Sequence, residues 1–166
     1  MEEARKGMEQ SINAQPSEIM CTAGGTEADN LAIFGSVNAL KTKGNHIITT
    51  NIEHHAVLNT CKQFEIDGYD VTFLEVDING RISVDQVKEA LTDETILVSI
   101  MLGNNEVGTI QPIRQIGELL KDHQAVFHTD AVQAYGIITI DVKALGVDFL
   151  SVSSHKLNGP KGVGFL

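Results

Sequence analysis

The chain has 166 residues, and its 12 Lys and Arg against 22 Asp and Glu give a formal net charge of −10 at pH 7. Hydrophobic residues make up 42% of the chain and only 3 residues are Pro, which excludes a disordered or collagen-like chain and allows one domain with a buried core. The acidic balance, without any cluster of Lys and Arg, argues against a nucleic-acid partner.

Short apolar runs alternate with amphipathic stretches along the chain, which predicts alternating strands and helices. The run at 95–102 is apolar throughout, as is typical of a strand buried on both faces. Ser83 followed by Gln86 forms a capping box at the start of a short helix. The predicted strands are 18–22, 46–50, 70–76, 95–102, 125–129, 148–153 and 162–166, and the predicted helices are 26–43, 55–67, 84–91, one that starts at Pro112, and 141–145.

This order of elements predicts an α/β fold with a mainly parallel sheet, helices on both faces and right-handed crossovers. The strand at 162–166 is expected to be antiparallel, because only a short turn at Gly159-Pro160 separates it from the preceding segment. A parallel connection would need a crossover of roughly a dozen residues. Parallel sheets bind ligands beyond the carboxyl ends of their strands, so we expect the functional site there.

Polar residues follow five of the predicted strands. Gly24-Gly25-Thr26 either forms an anion site at the start of a helix or simply caps that helix, with Thr26 bonding to Asp29. A His at such a junction is as consistent with a helix cap as with proton transfer, and a buried acid requires a cationic partner. The other clusters are Glu53-His54-His55, Asn104-Asn105-Glu106, Asp130 with Gln133, and Ser153-Ser154-His155-Lys156.

A zinc site is an alternative for the histidines and cysteines, which are His54, His55, His128, Cys21 and Cys61. Their spacing matches no compact zinc-ligand pattern, so we predict no metal ion. Both cysteines lie in apolar runs and are predicted to be core residues. His46 and His123 are predicted to be solvated turn residues.

No segment predicts membrane contact or export. The longest apolar stretch, 96–103, is far shorter than the roughly 20 residues that span a bilayer. The N-terminus lacks the basic and apolar regions of a signal peptide. Two cysteines make no disulfide framework, so we predict a soluble cytoplasmic protein.

Five segments carry a resemblance to a known family. They are Ala23-Gly24-Gly25-Thr26-Glu27-Ala28-Asp29-Asn30, Glu53-His54, Asn104-Asn105-Glu106-Val107-Gly108, Asp130-Ala131-Val132-Gln133 and Ser153-Ser154-His155-Lys156-Leu157-Asn158-Gly159-Pro160-Lys161-Gly162. In this order they resemble the class V, fold-type I pyridoxal-phosphate enzymes, and most of all the NifS-like cysteine desulfurases. The resemblance implies that residues 1–166 are part of the large, PLP-binding domain of a fold-type I transferase.

The resemblance also implies pyridoxal 5′-phosphate as the cofactor and a role for nine residues. Lys156 would hold the cofactor covalently, which requires a neutral amine of the kind that an apolar site favours. Asp130 would pair with the pyridine nitrogen, and His54 would stack on the ring and take part in proton transfer. Gln133 would donate to the ring hydroxyl oxygen, with Asn105 nearby and facing the substrate. The phosphate would be bound by Gly25, Thr26, Ser153 and His155.

The activity implied by this resemblance is removal of sulfur from L-cysteine to give L-alanine and an enzyme persulfide. The sulfur would pass to an acceptor protein such as an iron-sulfur scaffold, for iron-sulfur cluster or thio-cofactor assembly, and the protein would be a homodimer. A selenocysteine lyase or another class V enzyme is one alternative, and a non-catalytic cofactor-binding or dimerisation fragment is another.

Three parts of the family pattern are not matched. They are an N-terminal segment, the arginine for the substrate carboxylate and the sulfur-accepting cysteine, the last two on a C-terminal small domain. Cys21 and Cys61 match neither position, so we expect a partial core that is inactive alone.

Overall fold

The computed structural model describes residues 2–166, and its strands and helices alternate along the chain. The helices are α1 (Glu2–Ile12), α2 (Gly25–Leu40), α3 (His55–Ile66), α4 (Val84–Ala90), α5 (Ile113–Leu120) and α6 (Val142–Leu145). The strands are β1 (Cys21–Thr22), β2 (His46–Thr50), β3 (Asp70–Leu74), β4 (Thr95–Ser99), β5 (Val126–Asp130), β6 (Phe149–Ser153) and β7 (Gly164–Phe165). Short 3₁₀ turns at Pro16–Glu18 and Ser154–Leu157 complete the path.

The strands form one sheet in the order β1, β7, β6, β5, β4, β2, β3. Strands β2 to β6 are parallel to one another, whereas β7 runs antiparallel between β1 and β6. This confirms the predicted mainly parallel sheet and the predicted antiparallel β7. The short Gly159-Pro160 turn, which allows no crossover, is the physical reason for the direction of β7.

Helices cover both faces of the sheet, so the chain has two apolar cores. Neighbouring residues of one strand point to opposite faces, and accordingly Ile47 and Ile48 of β2 belong to different cores. On one face, Ile33 of α2 and Val57 of α3 pack with Ile47. The opposite core contains Ile48 together with Ile12, Val87, Ile113 and Ile116 from α1, α4 and α5.

Local sequence signals explain where several helices begin. At the start of α4, Ser83 Oγ accepts from the Gln86 backbone N–H at 3.1 Å, and Gln86 Oε1 accepts from the Ser83 backbone N–H at 2.8 Å, so the predicted capping box is confirmed. Helix α5 begins directly after Pro112, as predicted. Strand β4 ends at Ser99 rather than Leu102, although the backbone N–H groups of Ile100 and Leu102 still donate to the carbonyl oxygens of His128 and Asp130 on β5.

The N-terminal region differs from the prediction. Helix α1 was not predicted, because its sequence is mostly polar and has a narrow apolar stripe. Met8 and Ile12, spaced four residues apart, pack onto the core and hold it in place. The strand predicted at 18–22 is reduced to β1, because Pro16–Glu18 forms a 3₁₀ turn instead.

Two single-residue predictions were wrong. His46 lies buried in β2, where its ring bonds to Thr95 Oγ1 at 2.7 Å and Thr72 Oγ1 at 2.9 Å, and burial lowers its pKa. Its two ring nitrogens find partners on the adjacent strands, which offsets the loss of water. Cys21 is exposed because it lies on an edge strand, whereas Cys61 is buried as predicted.

The parallel arrangement brings four loops to one edge of the sheet. Strands β2, β4, β5 and β6 lie side by side, because β3 pairs on the outer side of β2, and each of the four is followed by polar residues. Their carboxyl ends are where the sequence places His54, Asn105, Asp130 and Lys156.

None of the helices within residues 2–166 is long and apolar enough to span a bilayer.

Candidate functional site

A cavity of about 250 Å³ lies beyond the carboxyl ends of the central strands, next to the start of α2. It is lined by Gly25, Thr26, Asp29, His54, Met101, Asn105, Asp130, Val132, Gln133, Ser153, His155 and Lys156. All nine residues singled out from the sequence are in this group, although they span positions 25 to 156. The sequence did not single out Asp29, Met101 and Val132 as lining residues.

One end of the cavity is the N-terminus of α2. Gly24 is the N-cap residue, with a φ of +148° that favours glycine, and no side chain caps the helix. The alternative in which Thr26 caps the helix is therefore wrong, since Thr26 is already inside its first turn. The unpaired N–H groups of that turn and the positive end of the helix dipole favour an anion.

The backbone at this end is closely packed. A Cβ placed on Gly25 would come within 2.8 Å of Val132 Cγ2 and 3.5 Å of Ser153 Cβ, so a side chain there would fill the approach to the helix end. Ser153 is buried, and its Oγ is 2.7 Å from His155 Nδ1. A second cavity, of about 640 Å³, shares Gly25, Thr26, Ser153 and His155 and continues outward from the same helix end.

The cavity also contains a buried acid. Asp130, the last residue of β5, is 5% exposed, and its Oδ1 accepts from the Val132 backbone N–H at 2.8 Å. The pKa of Asp130 is raised to about 7, mainly by burial and in addition by the nearby carboxylate of Asp29. Among the groups that act on Asp130, only the ring of His128 lowers its pKa electrostatically, as the expected cationic partner would.

Asp29 and His128 form a buried polar layer beneath this acid. His128 Nδ1 is 2.8 Å from Ser99 Oγ, and its Nε2 is 2.9 Å from Ser151 Oγ and 3.5 Å from Asp29 Oδ1. Asp29 Oδ1 is buried and has no hydrogen-bond partner. The sequence signal for Asp29 was an acid on the inward face of a helix, three residues after Thr26, but that position was assigned to capping.

His54 and Asn105 lie on exposed loops at the mouth of the cavity. His54 is also the N-cap of α3, where its Nδ1 accepts from the Ala56 backbone N–H at 3.1 Å. The helix-cap interpretation of this histidine is thus confirmed, and the same residue lines the cavity, whereas its role in stacking or proton transfer stays a prediction. Gln133 is half-buried on the far side, after β5.

Lys156 lies in the 3₁₀ turn that follows β6 and is exposed. The apolar surroundings expected for this amine are therefore absent among residues 2–166. His155 beside it is exposed as well, so this wall of the cavity is formed by a turn on the surface.

The remaining candidates for metal binding and thiol chemistry lie elsewhere. Among residues 2–166, no cluster of three or more His, Cys, Asp or Glu has an arrangement that would hold a metal ion. Burial raises the pKa of the Cys61 thiol to about 12, which keeps it protonated and unreactive. Neither cysteine, and no arginine, is among the described residues that line the cavity.

Comparison with known proteins agrees with this fold and identifies the family. Residues 1–166 match the family described as aminotransferase class-V. The "Putative cysteine desulfurase IscS 1" of Bacillus subtilis (strain 168) is 64% identical over 166 residues, covering 100% of this chain and 44% of that protein. A cysteine desulfurase IscS of Clostridium botulinum (strain Hall) is 57% identical over 163 residues, covering 98% of this chain and 41% of that protein.

Solved structures show the same architecture. The structure described as "SspA in complex with cysteine" has a TM-score of 0.95 and 44% identity, with 99% of this chain and 47% of that chain covered. A NifS-like protein also has a TM-score of 0.95, at 38% identity, with 99% and 46% covered. The chain spans less than half the length of these relatives. Because the family match extends over residues 1–166 and the sheet agrees with the solved relatives, the protein belongs to the aminotransferase class-V family.

Proposed function

We propose that the cavity binds pyridoxal 5′-phosphate and that residues 1–166 are part of the cofactor-binding domain of a cysteine desulfurase. In that reaction the carbon–sulfur bond of L-cysteine breaks, the carbon receives a proton to give L-alanine, and the sulfur joins a thiol as a persulfide. The persulfide would then pass its sulfur to an acceptor such as an iron-sulfur scaffold protein. The resemblance to proteins named cysteine desulfurase over the whole chain supports this choice.

The donors and acceptors in the cavity fit the cofactor at its ring end. Asp130 is a buried acid with one oxygen already bonded to the backbone, and it is paired with no Lys or Arg. A protonated pyridine nitrogen would supply the missing cationic partner and favour the ionised carboxylate. When bound, the protonated ring withdraws electrons from the substrate bonds that break.

The fit at the phosphate end rests on α2. Its uncapped first turn supplies N–H donors, and the hydroxyls of Thr26 and Ser153 and the ring of His155 border the same cavity. The hydrogen bond between Ser153 Oγ and His155 Nδ1 would orient the histidine toward the phosphate. No cluster of Lys or Arg is needed here, in agreement with the acidic chain.

The remaining residues would orient the ring and handle protons. His54 would lie over the ring, Gln133 would donate to its hydroxyl oxygen, and Asn105 would face the substrate. Lys156 would supply the amine that attaches the cofactor and later accepts and returns a proton. No cysteine and no arginine is among the described residues that line the cavity. The cavity would therefore hold the cofactor, while the sulfur-accepting thiol and the arginine for the substrate carboxylate would lie elsewhere.

A single observation carries the proposal: nine residues scattered over the sequence line one cavity at the ligand-binding edge of a parallel sheet. The test is to add pyridoxal phosphate, follow the yellow absorbance of the bound cofactor, reduce with borohydride and map the modified lysine. We expect label on Lys156, complete loss of label in Lys156→Ala, and retained label in the control Lys161→Ala, which alters the neighbouring cavity. Label that maps to Lys161 or to surface lysines in general would contradict the proposal.

Substrate choice, assembly and location are further predictions within this proposal. Comparing alanine release from L-cysteine with that from L-selenocysteine would distinguish a desulfurase from a selenocysteine lyase. A homodimer is expected because large apolar side chains such as Leu31 and Phe34 are exposed on α2. Sedimentation of the protein at micromolar concentration would test this, and the cytoplasm stays the predicted compartment.

A further inference from the structure

Glu53 is a buried acid that none of the proposed cofactor contacts uses. It lies in the loop between β2 and α3, directly before His54, and is 5% exposed. Its Oε1 accepts from Thr50 Oγ1 at 2.7 Å and from the Met101 backbone N–H at 2.9 Å. The first bond closes its own loop, and the second crosses to the segment that follows β4.

A second bridge joins the same two loops. Asn104 Nδ2 donates to the Ile52 carbonyl oxygen at 3.2 Å, and its Oδ1 accepts from the backbone N–H groups of Glu106 and Val107 at 2.9 Å each. Glu53 thus bonds from the loop after β2 to Met101, and Asn104 bonds from the loop after β4 back to Ile52, so both hydrogen bonds join the same two loops. Each is followed directly in sequence by a residue that lines the cavity, His54 in one loop and Asn105 in the other.

The surroundings of Glu53 favour an uncharged side chain. Its Oε2 is buried with no hydrogen-bond partner, and an ionised carboxylate with one bare oxygen is strongly disfavoured. The pKa of Glu53 is raised to about 8, mainly by burial and in addition by the carboxylates of Asp130 and Asp29. Cys61 of α3 lies near it and is also protonated at neutral pH. No cationic side chain is among the groups that influence its charge.

We propose that Glu53 is a positioning residue that acts as an uncharged hydrogen-bond acceptor, tying the His54 loop to the Met101–Asn105 loop so that both meet the cofactor ring. The inference rests on the proposed function, because the two loops matter together only if a ring binds between them. The acceptor oxygen of Glu53, and not a negative charge, sets the placement of these loops.

Three variants separate this role from general stabilisation of the fold. Glu53→Gln keeps an acceptor oxygen, and Glu53→Met keeps the length and apolar volume but has no acceptor. Gln111→Ala is the matched control, because Gln111 is also buried and bridges two loops, accepting from the Ile82 backbone N–H and donating to the Gly80 carbonyl oxygen. It does not line the cavity.

The measurements are the dissociation constant of pyridoxal phosphate, the induced circular dichroism of the bound cofactor and the midpoint of thermal unfolding. We expect Glu53→Gln to match the wild type, and Glu53→Met to bind the cofactor about tenfold more weakly with a smaller induced signal. Gln111→Ala should lower the unfolding midpoint while leaving cofactor affinity and the induced signal unchanged.

The outcomes distinguish the two proposals. If the wild type binds the cofactor and Glu53→Met binds it equally well, the role of Glu53 is overturned while the proposed function stands. If Glu53→Gln is as impaired as Glu53→Met, the charge matters and the uncharged acceptor is wrong. If the wild type takes up no cofactor, the proposed function fails and this inference fails with it.

Discussion

The two walls of the cavity are built differently. One wall consists of buried residues on the sheet and on α2, with Asp29, Asp130 and Ser153 all at most 5% exposed. The other wall consists of Thr26, His54, Asn105, His155 and Lys156, which are exposed on loops and on the first turn of a helix. The buried wall is shielded from water, whereas the exposed wall is in contact with solvent, although His54 and His155 are each held by a hydrogen bond. The difference teaches that the ring and phosphate contacts proposed for the sheet are preformed, while the roles proposed for Lys156 and His54 depend on loop conformation.

The buried wall should contribute more to cofactor affinity than the exposed wall. The sharpest test is Asp130→Asn, which keeps an oxygen for the Val132 N–H and removes the charge. Loss of a charged hydrogen bond in a desolvated site costs about 1.5–3 kcal/mol, which corresponds to roughly a tenfold to hundredfold weaker cofactor affinity. Equilibrium titration of the absorbance would measure it.

The control for that experiment is Asp141→Asn. Asp141 also accepts a backbone N–H, from Ala144 at 3.0 Å, but it caps α6 on the surface, away from the cavity. This variant should bind the cofactor like the wild type. Equal losses in the two variants would show that the substitution acts through general stability and that the ring nitrogen has no partner at Asp130.

A second test uses pH, because Asp130 and Glu53 keep their protons in the folded protein at pH values where the unfolded chain has lost them. The pKa of Asp130 is raised from 3.8 to about 7 and that of Glu53 from 4.5 to about 8, so the folded protein binds more protons than the unfolded chain between these values. The free energy of unfolding of the cofactor-free protein should therefore fall as pH rises through this window. Each group contributes at most about 1.4 kcal/mol per pH unit.

The clearest range for this measurement is pH 6.5 to 8. The lowered pKa of His46 gives an opposite trend, but only below its usual value of 6.5, and the lowered pKa values of Asp77 and Asp141 act below 3.8. Urea unfolding at several pH values would give the slope. The double variant Asp130→Asn with Glu53→Gln should flatten it, and an unchanged slope in that variant would rule out these two acids as its source.

The smallest effects on cofactor affinity are expected for two variants, each of which removes one hydroxyl from one of the two walls. Thr26→Ala removes a single exposed neutral donor, worth about 0.5–1.5 kcal/mol, so cofactor affinity should fall by less than about tenfold. Ser153→Ala should weaken affinity more than Thr26→Ala does, because it also releases His155 from its 2.7 Å hydrogen bond. A larger loss of affinity in Thr26→Ala than in Ser153→Ala would contradict the expectation that the buried wall contributes more to cofactor affinity. Parallel titrations with pyridoxal phosphate and with pyridoxal would show whether each loss depends on the phosphate.

Local signals were sufficient for most of the secondary structure. Strand β2 is found at the predicted bounds, and the capping box at Ser83 begins α4 as expected. Helix α1 was missed because its stability comes from the packing of Met8 and Ile12 on the sheet, which no local pattern reports. His46 was misassigned for the same reason, since its hydrogen-bond partners Thr72 and Thr95 lie on other strands.

The sequence alone determined the alternation of elements and the mainly parallel sheet, because periodicity, turn residues and the order of segments are local properties. The nine residues expected to share one site followed from the resemblance of five segments to a known family. The tertiary structure decided how those residues meet and which further groups join them. Asp29, Met101 and the bridge from Glu53 to Met101 became visible only when β2, β4 and β5 lay side by side. Burial set the pKa of Asp130 and Glu53 as well, since desolvation depends on every chain segment that excludes water from a group and not on its sequence neighbours.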